Sequence, residues 1–256
     1  MGGFSNRLRA IASAALWAED LGAKLEIFWP VEAGVVPCRI EELIEINTIP
    51  YITYTHVGYI QRAHNILGVD DMKIVVKIWE KAHEIRIESY AEFHEDIIGR
   101  TERGLTMLRR IKIRKEIVAN ASDLAKELGI GLNNQWIGVH IRRTDHKNCI
   151  AASPIELFLA RIETYLEVWP DTMFFLATDD PAVKADFSQK FAKSMVVYNS
   201  QLGRRSMSQM KDGIVEWLLL QKCSSILGSK GSSFSEMASA YSGASLSVLP
   251  GEFTPV

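Results

Sequence analysis

From Trp136 to Leu249 the chain alternates short apolar or β-branched runs with amphipathic helical segments, and this alternation restricts it to an α/β fold with a mostly parallel sheet. Trp136–Arg143, Met173–Thr178, Met195–Tyr198, Ser225–Gly228 and Ser245–Leu249 read as strands; Ser153–Trp169, Pro181–Ala192, Lys211–Lys222 and Ser233–Tyr241 read as the helices among them. Two helix starts carry the expected punctuation. Ser153-Pro154-Ile155-Glu156 combines a capping serine, proline at the first helical position and a reciprocal glutamate, and Asp180-Pro181 repeats the cap-then-proline order.

The first half is less regular. Asn6–Leu21 sets Leu8, Ile11, Ala12, Ala15 and Leu16 at helical spacing and stops at Gly22, a residue suited to a helix end. Lys24–Trp29, Tyr51–Thr55 and Lys73–Trp79 read as further strands. Between Glu95 and Lys115 the chain is strongly charged, and the interleaved Leu105, Leu108, Ile111 and Ile113 make this an amphipathic element with a solvated charged side rather than a phosphate-binding patch. The domain junction is placed there, giving domains 1–110 and 111–256, and a helix over Lys112–Leu128 follows, ended by Gly129.

Composition removes several function classes. With 47% hydrophobic and 23% charged residues, the chain is globular rather than fibrous or disordered. Lys plus Arg number 29 against 31 Asp plus Glu, so no global basic field is available to hold nucleic acid. No apolar stretch reaches the ~18 residues of a membrane span. Gly2-Gly3-Phe4-Ser5-Asn6-Arg7 has no apolar signal core, and Cys38, Cys149 and Cys223 are scattered without a CxxC pair. A reducing, cytoplasmic setting is expected, without a disulfide framework or zinc knuckle. Oligomeric state and source leave no mark on the sequence.

In an open parallel sheet, ligands bind beyond the carboxyl ends of strands, where helix N-termini converge. Three stretches qualify: Gly138–Lys147, Thr178–Pro181 and Gly228–Glu236. In the first, period-two alternation sends Ile137, Val139 and Ile141 to one face and His140 and Arg142 to the other, with Arg143 opposite them. A guanidinium at a strand end is suited to fork onto a phosphate or carboxylate, or else to pair structurally with Asp145. His140 by itself fits a hydrogen-bonded core histidine as well as a ligand-binding one. In the third, Gly228-Ser229-Lys230-Gly231-Ser232-Ser233-Phe234 follows an apolar strand and opens a helix, which suits an anion. It lacks the P-loop spacing, and Ser233 with Glu236 is also an ordinary capping box. Asp179-Asp180 offers two carboxylates that could hold a divalent metal, but Asp180 is claimed by the helix cap and no metal is assigned.

Gly138-Val139-His140-Ile141-Arg142-Arg143-Thr144-Asp145, Phe175-Leu176-Ala177-Thr178-Asp179-Asp180-Pro181, Glu216–Cys223 and Ser232-Ser233-Phe234-Ser235, in that order, resemble the motifs of the fucosyltransferase superfamily. That group comprises the GT-B α1,2/α1,6-fucosyltransferases and protein O-fucosyltransferases. Gly2-Gly3-Phe4-Ser5-Asn6-Arg7-Leu8 looks like the glycine-rich loop after their first strand, whereas positions 30 to 130 match little.

The resemblance implies a GT-B-like α/β protein, with two Rossmann-like domains of mostly parallel sheets facing a cleft. It implies a metal-independent, inverting transfer of L-fucose from GDP-fucose, the donor substrate, to a hydroxyl of a glycan or glycoconjugate acceptor, with no separate cofactor. By position, His140 and Glu216 would meet the guanine, Arg142 with Arg143 and Asp179 the diphosphate region, Ser232, Ser233 and Phe234 the phosphates, and Gly3, on the donor side, and Asn6, as a catalytic residue, would face the cleft from the first domain. Two departures follow. The strand that should precede the glycine loop is reduced to Met1, which leaves the first sheet short of an edge or the chain cut from a longer one. Some relatives carry a catalytic Glu where this chain has Cys149-Ile150, so the base falls to Asp145, His146 or Asn6; Asp145 is assigned to ordering Arg142 or Arg143 and Asn6 cannot take a proton, which leaves His146 as the choice. That departure also admits another 6-deoxy sugar such as rhamnose, or a non-catalytic nucleotide-sugar or glycan-binding module.

Overall fold

The inward positions of the first helix are those its spacing predicts: Leu8, Ile11, Ala12, Ala15 and Leu16 are all buried along α1 (Phe4–Asp20). The structure is a computed structural model and describes residues 3–31, 36–50, 52–57, 89, 91–131, 135–144 and 147–251. The strand expected at Lys73–Trp79 lies outside the described residues, as do Gly2, Asp145 and His146.

Gly22, at φ +59, takes the chain out of α1 toward β1 (Leu25–Pro30), which pairs in parallel with β2 (Ile52–Val57), Leu25 opposite Ile52. Trp29 anchors this region; its indole N–H donates to Cys38 O at 2.9 Å, and the Arg7 guanidinium stacks 4.5 Å from the ring centre. The charged stretch forms two helices, α2 (Glu95–Ile98) and α3 (Glu102–Arg110). Met107 and Leu108 are buried, while Arg110 reaches Glu19 Oε1 at 2.6 Å and Arg103 pairs with Asp20 and Asp96. The basic face of α3 thus meets the acidic end of α1.

The chain divides into two compact units, 1–113 and 114–256. The second begins with α4 (Lys115–Leu128), closed by Gly129 at φ +73. There follow β3 (Trp136–Ile141), α5 (Lys147–Ala152), α6 (Ile155–Val168), β4 (Met173–Thr178), α7 (Pro181–Lys190), β5 (Met195–Val197), α8 (Met207–Leu220), β6 (Ser225–Ser229), α9 (Ser233–Ser242) and β7 (Ser245–Leu249). The strands lie in the order β5-β4-β3-β6-β7, and every pairing is parallel. Ile137, Val139 and Ile141 pack with Phe158 and Ile162 of α6 and with Val183 and Phe187 of α7. On the opposite face a Cβ at Gly138 would stand 2.8 Å from Leu220 Cδ2, so a larger residue there would make the Leu220 side chain of α8 shift.

Two expected caps differ. Pro154, not Ser153, is the N-cap of α6, and no side chain caps it. The buried Ser153 hydroxyl donates instead to Leu249 O and accepts from Lys230 N at 2.9 Å. These two backbone groups would otherwise need other partners in a region closed to water, so the tertiary demand overrides the local cap. The Ser233/Glu236 box is likewise not formed: α9 has Ser232 as its N-cap residue, without a capping side-chain bond. Asp180 does cap α7, accepting from Ala182 N at 2.8 Å and Val183 N at 3.4 Å.

Candidate functional site

The strand order reverses between β3 and β6, and the carboxyl ends of those two strands carry the arginine motif and the Gly/Ser loop. Ser229 ties them together, its Oγ accepting from Arg142 N at 3.1 Å and donating to His140 O at 3.3 Å. Arg142 is thereby held just past the end of β3. Its Nη1 lies 3.0 Å from Asp179 Oδ2, and its side chain keeps 17% exposure.

Asp179 is the organising carboxylate. Besides Arg142, it accepts from Arg143 N (2.7 Å) and from the Thr144 hydroxyl (2.7 Å). The pairing weighed from sequence, an arginine with Asp145, lies outside the described residues; Asp179 reaches Arg142 because the parallel register sets Ile141 beside Thr178 and brings the two strand ends together. Arg143 points elsewhere. Its guanidinium donates to Ser153 O at 2.8 Å and Ile150 O at 3.4 Å, bracing the turn between α5 and α6. Ile150 contributes its carbonyl to that brace.

His140 is 4% exposed and lies 4.7 Å, centre to centre, from the Phe234 ring at an interplanar angle of 32°. Its Nδ1 is 3.5 Å from Ser232 Oγ. Burial, reinforced by the Arg142 charge, pushes its pKa from 6.5 down to about 3, so the imidazole is neutral at ordinary pH. The loop after β6 depends on glycine twice. A Cβ at Gly228 would meet Ser235 Oγ at 2.6 Å, and Gly231 turns at φ +71. This close approach brings the N-terminus of α9, with Ser232 and Ser233, to the end of β6, and its free N–H groups favour an anion there.

Glu216, on α8, is buried, and its Oε1 accepts from Lys184 Nζ at 2.8 Å and from Ser200 Oγ at 2.9 Å. Burial raises its pKa, and the Lys184 cation opposes the shift. Lys184 and Ser200 carried no sequence signal; they join Glu216 only through the packing of α7 and α8 around the end of β5.

In the first unit, Gly3 is the extended N-cap residue of α1, and its carbonyl accepts from Arg7 N at 3.1 Å. Asn6 Oδ1 is shielded from solvent and has no hydrogen-bond partner among the described residues. His146 lies outside the described residues. Among the described residues, no three His, Cys, Asp or Glu side chains gather as metal ligands, and Cys38, Cys149 and Cys223 are buried free thiols.

No family model matches the chain, and no curated protein sequence matches it. Solved structures do. A fucosyltransferase NodZ from Bradyrhizobium is 18% identical, with a TM-score of 0.61 over 93% of this chain and 89% of that one. The NodZ α-1,6-fucosyltransferase soaked with GDP-fucose is 20% identical, with a TM-score of 0.61 over 94% and 89%. POFUT1 in its apo form is 10% identical, with a TM-score of 0.60 over 98% and 95%. The chain shares the fold of these solved structures. At these identities the likeness speaks for the fold, and within it the five parallel strands, the arginine after β3 and the Gly/Ser loop after β6 are this chain's own features. Among the described residues no helix is long and apolar enough to cross a membrane.

Proposed function

We propose that this chain is a glycosyltransferase that moves a sugar, with L-fucose the first candidate, from a GDP-sugar donor to a hydroxyl of a glycan or glycoconjugate. The carrying observation is Arg142, fixed by Asp179 at the strand-order reversal beside an α9 N-terminus built for an anion. In the reaction the acceptor oxygen bonds to the anomeric carbon as the bond to the diphosphate breaks, inverting that carbon. Arg142 neutralises the charge gathering on the departing GDP, and Ser232, Ser233 and the α9 amides share it. Glu216 accepts from the N–H edge of the guanine, and His140 with Phe234 supports the base side of the donor.

The use made of the two carboxylates supports a transfer without a metal. Asp179 accepts from three protein donors and Asp180 caps α7, so both are engaged by the chain itself. The acceptor proton goes to His146. NodZ structures with GDP and with GDP-fucose, and POFUT1 structures with GDP and with GDP-fucose, support a donor of this class. Incubation with GDP-fucose and a glycan acceptor panel tests the reading. Release of GDP coupled to fucosylated product is expected; donor binding without turnover would favour a non-catalytic module, the reading to which Ile150 in place of a glutamate points. GDP-rhamnose in parallel reports the alternative 6-deoxy sugar.

A further inference from the structure

Glu216 is a buried carboxylate that does not stand alone, and its partner contributes to the site as well as to the fold. Lys184 leaves α7 and donates to three acceptors: Glu216 Oε1 at 2.8 Å, Tyr198 O at 2.9 Å and Ser200 Oγ at 3.2 Å. An ammonium has three protons, and all three are placed. The Ser200 hydroxyl donates to the same Glu216 oxygen at 2.9 Å. Both donors therefore converge on Oε1, and none of the described residues reaches Oε2. Lys184 follows β4 and Tyr198 and Ser200 follow β5, so the cluster belongs to the same carboxyl edge of the sheet as Arg142.

We propose that Lys184 is a positioning residue for nucleotide-base selection: with Ser200 it claims Oε1 of Glu216 and leaves Oε2 as the acceptor offered to the N–H edge of a 6-oxopurine. This rests on the GDP-sugar reading and adds to it the residue that makes the base preference work. A carboxylate this enclosed, deprived of its cation, takes up a proton. The neutral acid presents an O–H donor. Guanine offers N–H donors on that edge, whereas adenine offers N1 as an acceptor, so the neutral acid erodes the preference for guanine. Lys184 touches no reacting atom and acts through Glu216.

The experiment measures GDP and ADP affinities on the whole chain for the wild type, Lys184→Met, Lys184→Arg, Glu216→Gln and the double variant Lys184→Met/Glu216→Gln, with a melting curve for each. The wild type is expected to favour GDP, and Lys184→Met to lose about tenfold or more of that preference, the scale of a misread hydrogen-bonding edge. Lys184→Arg is expected to restore most of it. The double variant is expected to be no worse than Glu216→Gln, because both substitutions remove one interaction. Should Lys184→Met fail to fold, Lys184→Gln keeps amide donors without the charge and is expected to show the same loss. A folded Lys184→Met or Lys184→Gln variant with the wild-type GDP preference would overturn the proposal, as would strictly additive losses in the double variant. A wild type that binds neither nucleotide would instead overturn the donor-site reading beneath it.

Discussion

Arg142 and Asp179 meet 3.0 Å apart just past the ends of two adjacent parallel strands, and the same carboxylate also accepts from the Arg143 amide and the Thr144 hydroxyl. Asp179 therefore orders the three residues that follow β3, Arg142 to Thr144. Arg142→Ala is expected to reduce turnover by ~10²-fold or more while leaving the fold intact, because a preorganised donor is lost where charge develops. Arg142→Lys is expected to recover little, since a point charge does not reproduce the fork. Steady-state kinetics with GDP-fucose decide it, and activity within a few-fold of wild type in the alanine variant would remove Arg142 from the mechanism.

Asp179→Asn keeps the shape and removes the charge that fixes the guanidinium. A fall in turnover in the same direction as Arg142→Ala, but smaller, is expected. Chelator is expected to leave transfer unchanged in the wild type. Loss of transfer in EDTA with recovery in Mg²⁺ or Mn²⁺ would instead make Asp179 a ligand.

Glu216→Gln is expected to erode the preference for GDP in a GDP-versus-UDP competition. The Glu216 carboxylate is buried against Lys184, so a solvated surface role, which predicts no change, does not describe it.

Histidine 140 gives a pH prediction for stability. Its folded pKa of about 3 lies below the 6.5 of the free side chain. As pH falls through 6.5 the unfolded chain takes up the proton first, so this group makes stability decline between 6.5 and about 3. Denaturation midpoints across that range are expected to fall less steeply with acid in His140→Gln. An unchanged slope would show that His140 does not contribute to acid sensitivity.

What was legible in the sequence was whatever has a local cause. The strand at Met173–Thr178 and the strand at Ser245–Leu249 follow from β-branched and apolar runs bounded by turns, and their ends agree with the reading. The Asp180 cap was legible because its partners are two and three residues away. Ser153 misled because its partners, Leu249 and Lys230, are 96 and 77 residues distant and become neighbours only once the sheet is assembled. Arg142 stood out as a strand-end guanidinium in a motif. Its clamp by Asp179 and the Lys184–Glu216 pair, which spans 32 residues, depend on register and helix packing that no local pattern encodes.

The central claim is that the edge formed by β3, β6 and α9 holds a GDP-sugar through Arg142. A folded state that binds a donor melts higher in its presence, in proportion to affinity. The most direct measurement is a thermal-shift panel of GDP-fucose, GDP-mannose, UDP-glucose and dTDP-rhamnose on the wild type and on Arg142→Ala. The account predicts that GDP-sugars raise the wild-type melting temperature most and that this shift largely disappears in Arg142→Ala. A wild type stabilised by none of the four, or an Arg142→Ala variant stabilised as strongly as wild type, would contradict it.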